Sequence, residues 1–193
     1  MKTPGTTAEG GHGNGPDRTP TPRRYSALLL SAVFYILVVI GTSAWMYHQA
    51  AHAVIEAIDQ HLASGTAIVP YMMARTFHDR AISPKAINKL EDDRNIRRLS
   101  DVAEQGNYAF LFTLISRDGN VYITSSSATA EEVAAGSEVR YFDTYDESPL
   151  NVEQALANTQ RVFVSYSDRW GHFRGAYVPK LSPKGNPYLA GAE

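Results

Sequence analysis

From Tyr25 to Tyr47 the chain reads YSALLLSAVFYILVVIGTSAWMY, a run without a single charged side chain. Such a run has few folded destinations. About 20 residues at about 1.5 Å each cross the ~30 Å hydrocarbon layer of a bilayer. A backbone inside lipid must satisfy its own polar groups, so residues 25–47 are expected to form a transmembrane helix. Tyr25 at one end and Trp45 and Tyr47 at the other supply rings suited to the two interfaces. Arg18, Arg23 and Arg24 precede the run, and no Lys or Arg follows it before Arg75. The positive-inside bias therefore predicts a cytoplasmic N-terminus and an exported remainder, which in a bacterium means an inner-membrane protein with a periplasmic domain. The competing reading is a cleaved export signal, with Arg23-Arg24 ahead of the run and Ala51-His52-Ala53 as the cleavage pattern. The run exceeds the roughly 7–15 apolar residues of a signal core, which favours a retained helix.

The 193 residues suffice for one domain with a core and additions. A net charge of −2, with no basic run, argues against a nucleic-acid partner. The absence of cysteine excludes disulfides, thiolate metal sites and cysteine nucleophiles. Residues 1–24 are rich in Gly, Pro and Thr and lack large apolar side chains, so a disordered cytoplasmic tail is expected there. Its GGHGNG lacks the preceding strand and following helix of a phosphate loop.

Residues 48–106 read as a helical stalk followed by packing helices. Ile55, Ile58, Leu62, Gly65, Val69, Met72 and Thr76 keep a three-and-four spacing, a seam for packing on the same domain or for pairing with a second copy of the helix. Gly65 and Pro70 are expected to weaken or kink it. His48 and His52 share a helical face, but no third ligand follows them, so they are read as interfacial polar residues and no metal is expected. Ser83-Pro84 predicts a helix start. Ile87, Leu90, Ile96, Leu99 and Val102 predict its buried face, and Gly106 its end.

Beyond Gly106 the period falls to two. YAFLFTLIS, RDGN and VYITSSS predict a β-hairpin over residues 108–127. Short helices are expected at ATAEEVAAG and SPLNVEQALAN. Strands then resume at RVFVSYSD, HFRGAYVPKLS and PYLAGAE. Five antiparallel strands with the helices grouped on one side make the expected fold α+β.

These segments together resemble the single-Cache, PAS-like sensor domains of bacterial methyl-accepting chemotaxis proteins and related transmembrane receptors. The resemblance covers residues 25–193. It rests on the membrane helix running into a long helix, on the hairpin LISRDGNVYITSS, and on the closing YSDRWGHFRGAYVPKLSPKGNPYLAGAE. It implies an N-terminal transmembrane helix continuing into a long helix packed on a five-stranded antiparallel PAS-like sheet, the sheet domain spanning residues 107–193. It further implies an extracytoplasmic ligand-sensing module of a signalling receptor, whose output would be that of a chemoreceptor, a histidine kinase or a diguanylate cyclase. A periplasmic scaffold held by a single helix is the alternative. LAGAE falls where such receptors enter a second membrane helix, so a fragment or an incomplete product is expected.

The resemblance also implies a pocket between the sheet and the excursion after the hairpin, with Arg140, Tyr141 and Tyr145 facing Tyr166, Asp168 and Arg174. Arg suits a carboxylate, Asp an ammonium group, and tyrosines an apolar wall with a polar tip. For Asp168 and Arg174 an ion pair across the hairpin is the equal alternative. Trp170 and His172 are assigned to packing of the turn, and Arg169 to solvent. The Arg-x-Trp-Tyr element of amino-acid-binding members is missing, so amino-acid specificity is not implied. The implied partners are a small solute or a solute-loaded binding protein, the membrane, and a second copy through the long helix. No cofactor is implied. No nucleophile elbow, zinc helix or paired-carboxylate motif is present, so no catalysis is expected.

Overall fold

The computed structural model describes residues 22–146, 148–149, 151–158, 160–168 and 171–193, with only the backbone for 22–24 and 168. The tail over residues 1–21 and the roles expected of Arg169, Trp170 and the Asp168 side chain lie outside the described residues. The chain divides into two compact units, residues 1–51 and 52–193.

The described part of the first unit is helical. Helix α1 spans Pro22–Ile68, and it is the one helix among the described residues long and apolar enough to cross a membrane. Every side chain from Tyr25 to Ala50 is exposed. The hydroxyls of Ser31 and Thr42 donate to the carbonyls of Ala27 and Val38, so these two polar groups are satisfied within the run.

The second unit takes in the end of α1, which gives way to a short 3-10 turn over Val69–Tyr71. Pro70 lacks the N–H that a further α-helical turn requires. Helices α2 (Phe77–Arg80) and α3 (Lys89–Gly106) follow, then strands β1 (Leu111–Arg117) and β2 (Asn120–Ser126). The excursion holds helix α4 (Ala130–Ala135), strand β3 (Asp143–Thr144) and helix α5 (Val152–Ala157). Strands β4 (Val162–Asp168), β5 (Gly171–Leu181) and β6 (Pro187–Ala192) complete an antiparallel sheet in the order β3-β2-β1-β6-β5-β4. The architecture is α+β, as expected, with five longer strands and the two-residue β3 as an addition at the edge. The β1–β2 turn is built by Asp118 and Gly119, both at positive φ (52° and 77°), with Arg117 paired to Asn120.

Two local expectations are corrected. Helix α3 starts at Lys89, because the Asn88 side chain accepts from the Glu91 N–H at 2.9 Å, whereas Ser83 and Pro84 lie in the turn before it. Leu90 is exposed in the first turn and does not join the buried face of Ile96 and Leu99. Gly106 is the last helical residue, with Asn107 closing the helix in the left-handed region.

Strand alternation divides the core in two. Leu62 and Val69 of the first segment, Phe77, and Leu99 of α3 pack on Leu111, Ala176, Ala190 and Ala192. Phe112, Leu114, Tyr177 and Leu189, one residue out of step, pack with Val152 and Ala155 of α5. Helices therefore cover both faces of the sheet, which corrects the expectation that they group on one. The three-and-four seam of α1 is also divided: Leu62, Gly65 and Val69 are buried, while Ile55 and Ile58 stay 45% and 41% exposed.

Gly191 sits opposite Phe112 in the β1–β6 pairing, and a Cβ there would lie 2.1 Å from the Phe112 ring. That ring is buried and packs edge-on against Tyr177. Gly191→Ala is therefore expected to cost about 1–3 kcal/mol by overpacking, read as a lowered urea midpoint at constant slope.

Candidate functional site

The face carrying α5 is not filled. Phe110 just before β1, Phe112 on β1, Phe173 on β5 and Tyr145 from the excursion wall a cavity of about 50 Å³ that opens to solvent. Glu132 of α4 and Glu193, just past β6, bring carboxylates to it, and the remaining lining residues Ile123, Ser126 and Val139 are uncharged. The excursion positions its contributors through local caps. Thr129 and Glu132 form a reciprocal capping box at the start of α4, and the Asn151 side chain caps α5 by accepting from the Gln154 N–H.

Glu193 is held in place from two directions. Its backbone N–H donates to the Phe110 carbonyl at 2.9 Å, and its own carbonyl accepts from the Ala109 N–H at 2.6 Å. Its side-chain Oε1 accepts from the hydroxyls of Tyr166 and, at 3.1 Å, Tyr177. Tyr145 hydrogen-bonds Tyr166 in turn. Burial first, then the neighbouring Tyr177 and Glu193, push the Tyr166 phenol far above its ordinary range. Burial first, then the Glu193 charge, do the same for Tyr177. Both phenols thus stay protonated and donate to the carboxylate. Gly175 and Gly191 make room for the rings, since a Cβ on either would lie within 3.0 Å of Tyr177 or Phe112 respectively.

The residues singled out in the sequence separate into two groups. Tyr145 and Tyr166 come together at this cavity. Arg140 sits over α3, where its guanidinium reaches Asp92 at 2.8 Å, Asp93 at 2.5 Å and Glu138 at 2.9 Å. Tyr141 donates to the Ser83 carbonyl at 2.7 Å and packs against Phe77. Arg174 lies on the α1 side of the sheet and grips Asp59 of α1, with Nη2–Oδ2 at 2.7 Å and Nη1 on Ser165 at 2.9 Å. Its partners are thus Asp59 and Ser165, and the Phe163 ring lies 5.7 Å beneath it. His172 pairs through Nδ1 with Ser167 across the β4–β5 hairpin.

Sequence reasoning missed Phe110, Phe112, Phe173 and Glu193. The signal was present in the period of two: Leu189, Gly191 and Glu193 share a face, as do Phe110, Phe112 and Leu114. Among the described residues no group of three or more His, Cys, Asp or Glu could hold a metal ion. Comparison with known proteins yields no match, either to a family model or to a curated sequence.

Proposed function

We propose that the chain is the extracytoplasmic ligand-sensing module of a single-Cache-type membrane receptor, anchored in the bacterial inner membrane by residues 25–47, with its N-terminus in the cytoplasm. The supporting observation is an open, aromatic-walled cavity on one face of a sheet whose other face is clamped to α1 by Arg174 and Asp59. Occupancy of the cavity would shift β5, which carries both Phe173 and Arg174, and with it α1. The module binds without catalysing, and its output is that of a chemoreceptor or, alternatively, of a histidine kinase or diguanylate cyclase. Ile55 and Ile58, exposed on α1 beyond the apolar run, support pairing of that helix with a second copy.

The test is a solute panel on the full chain in lipid nanodiscs. A sensor is expected to gain at least about 5 °C in Tm with a saturating ligand, and a scaffold to gain nothing with any solute class. Orientation is read separately. The chain has no cysteine, so Lys184→Cys offers one thiol at an exposed turn. A membrane-impermeant maleimide is expected to label it in intact spheroplasts. Labelling only after lysis would sink the topology.

A further inference from the structure

We infer that the cavity takes an organic cation, an ammonium group carried on a small apolar body. This rests on the reading of the cavity as a ligand site and names its ligand class. Glu132 and Glu193 line the cavity, and among the described residues none of those lining it is basic. The arginines that would suit a carboxylate ligand are engaged elsewhere, Arg140 with Asp92, Asp93 and Glu138, and Arg174 with Asp59.

The two carboxylates differ in kind. Glu132 closes its capping box by accepting from the Thr129 N–H at 2.8 Å, which fixes its carboxyl group against the first turn of α4. Glu193 is held by two phenols from the two strands on one side of β6, Tyr177 on the adjacent β5 and Tyr166 on β4 beyond it. Burial keeps both phenols protonated, so they meet the Glu193 carboxylate as hydrogen-bond donors and bring no positive charge to it. Around it stand the rings of Phe110, Phe112, Phe173 and Tyr145. Phe173 packs at 6.1 Å from Phe110 and 5.8 Å from Tyr166, so the rings form a connected wall. The negative faces of such rings attract a cation and leave an anion without a partner. An apolar wall with one oriented carboxylate discriminates by charge, because a neutral ligand of the same shape fills the same volume without the Coulombic and cation–π attraction.

The experiment uses four probes on the full chain in nanodiscs of uncharged lipid, at low salt and with binding measured by calorimetry. Choline and butylammonium are the cations, neohexyl alcohol is the neutral isostere of choline, and the anion of tert-butylacetic acid is the third charge state. At least one cation is expected to bind at least about tenfold more tightly than the alcohol, with the anion weakest. Glu193→Gln, which keeps the shape and a hydrogen-bonding oxygen, is expected to remove that preference by weakening cation binding at least several-fold more than alcohol binding. Phe173→Leu is expected to weaken cation binding several-fold and to spare the alcohol more. Equal or tighter binding of the alcohol or the anion overturns the cation assignment and leaves the ligand-site reading standing. Failure of both cations to bind also overturns it, and the solute panel then decides the ligand-site reading independently. A Glu193→Gln protein whose unfolding midpoint matches the parent, and which keeps full cation preference, overturns the role given to Glu193.

Discussion

Acidification from about pH 7 to about pH 4 is expected to cost the sheet unit about 3 kcal/mol through His78 alone, and His78→Phe is expected to remove most of that loss. His78 is 7% exposed, its ring stacks on Tyr188 at 3.6 Å, and its Nε2 is buried with no hydrogen-bond partner. Burial lowers its pKa from 6.5 to about 3, against the opposing pull of Asp79. Between those two values the unfolded chain carries a proton that the folded chain refuses. Stability is therefore full above about pH 6.5 and falls as the pH drops towards 3. Asp79 bends the profile in the same direction. Its hydrogen bonds to Ser182 and Lys184 hold its pKa below the usual carboxylate range, so what it contributes is lost as pH falls through that lowered value. Phenylalanine keeps a ring to stack on Tyr188 and removes both imidazole nitrogens, of which Nε2 is buried without a hydrogen-bond partner. Urea unfolding at several pH values checks this: a parallel pair of profiles for parent and variant would refute it.

Arg140→Met is expected to destabilise the same unit by about 3 kcal/mol near neutral pH. The guanidinium is the shared counter-charge for Asp92, Asp93 and Glu138, and Asp92 has only 6% of its side chain exposed. Burial already raises the Asp92 pKa, with Arg140 acting to lower it. Without the arginine the folded chain would hold a proton on Asp92 at higher pH than the unfolded chain does. The deficit should therefore shrink in mild acid, where that proton is available. The parent and variant share His78, so their difference isolates this term. A deficit under about 1 kcal/mol would mean that the cluster is solvated like an ordinary surface network.

The same arginine shows where sequence reading stops. Local signals were legible wherever neighbours along the chain decide the outcome. Asp118-Gly119 announced the hairpin, ATAEEVAAG the short helix α4, and the period of two the five longer strands. Asn88 displaced Ser83 as the cap of α3, because both residue types serve and the choice depends on what the following turn packs against. Strand β3 is too short to show a period. That α5 covers the face opposite α3 was hidden too, since amphipathicity tells which side of a helix is buried and not against which sheet face. At the candidate site Tyr145 and Tyr166 were named through the resemblance, the first in the excursion and the second on a strand. The commitments of Arg140 to α3 and of Arg174 to Asp59, 115 residues away in sequence, were not.

Strand β6 lies between β1 and β5, and every other strand precedes it in the chain. During synthesis the β1–β2 and β4–β5 hairpins would both leave the ribosome before the segment that zips them together. Each would wait with an open edge, the arrangement most prone to pairing with a neighbouring nascent chain. Termination between Leu181 and Pro187 should therefore yield two unjoined ribbons bound for aggregation, rather than a smaller working domain.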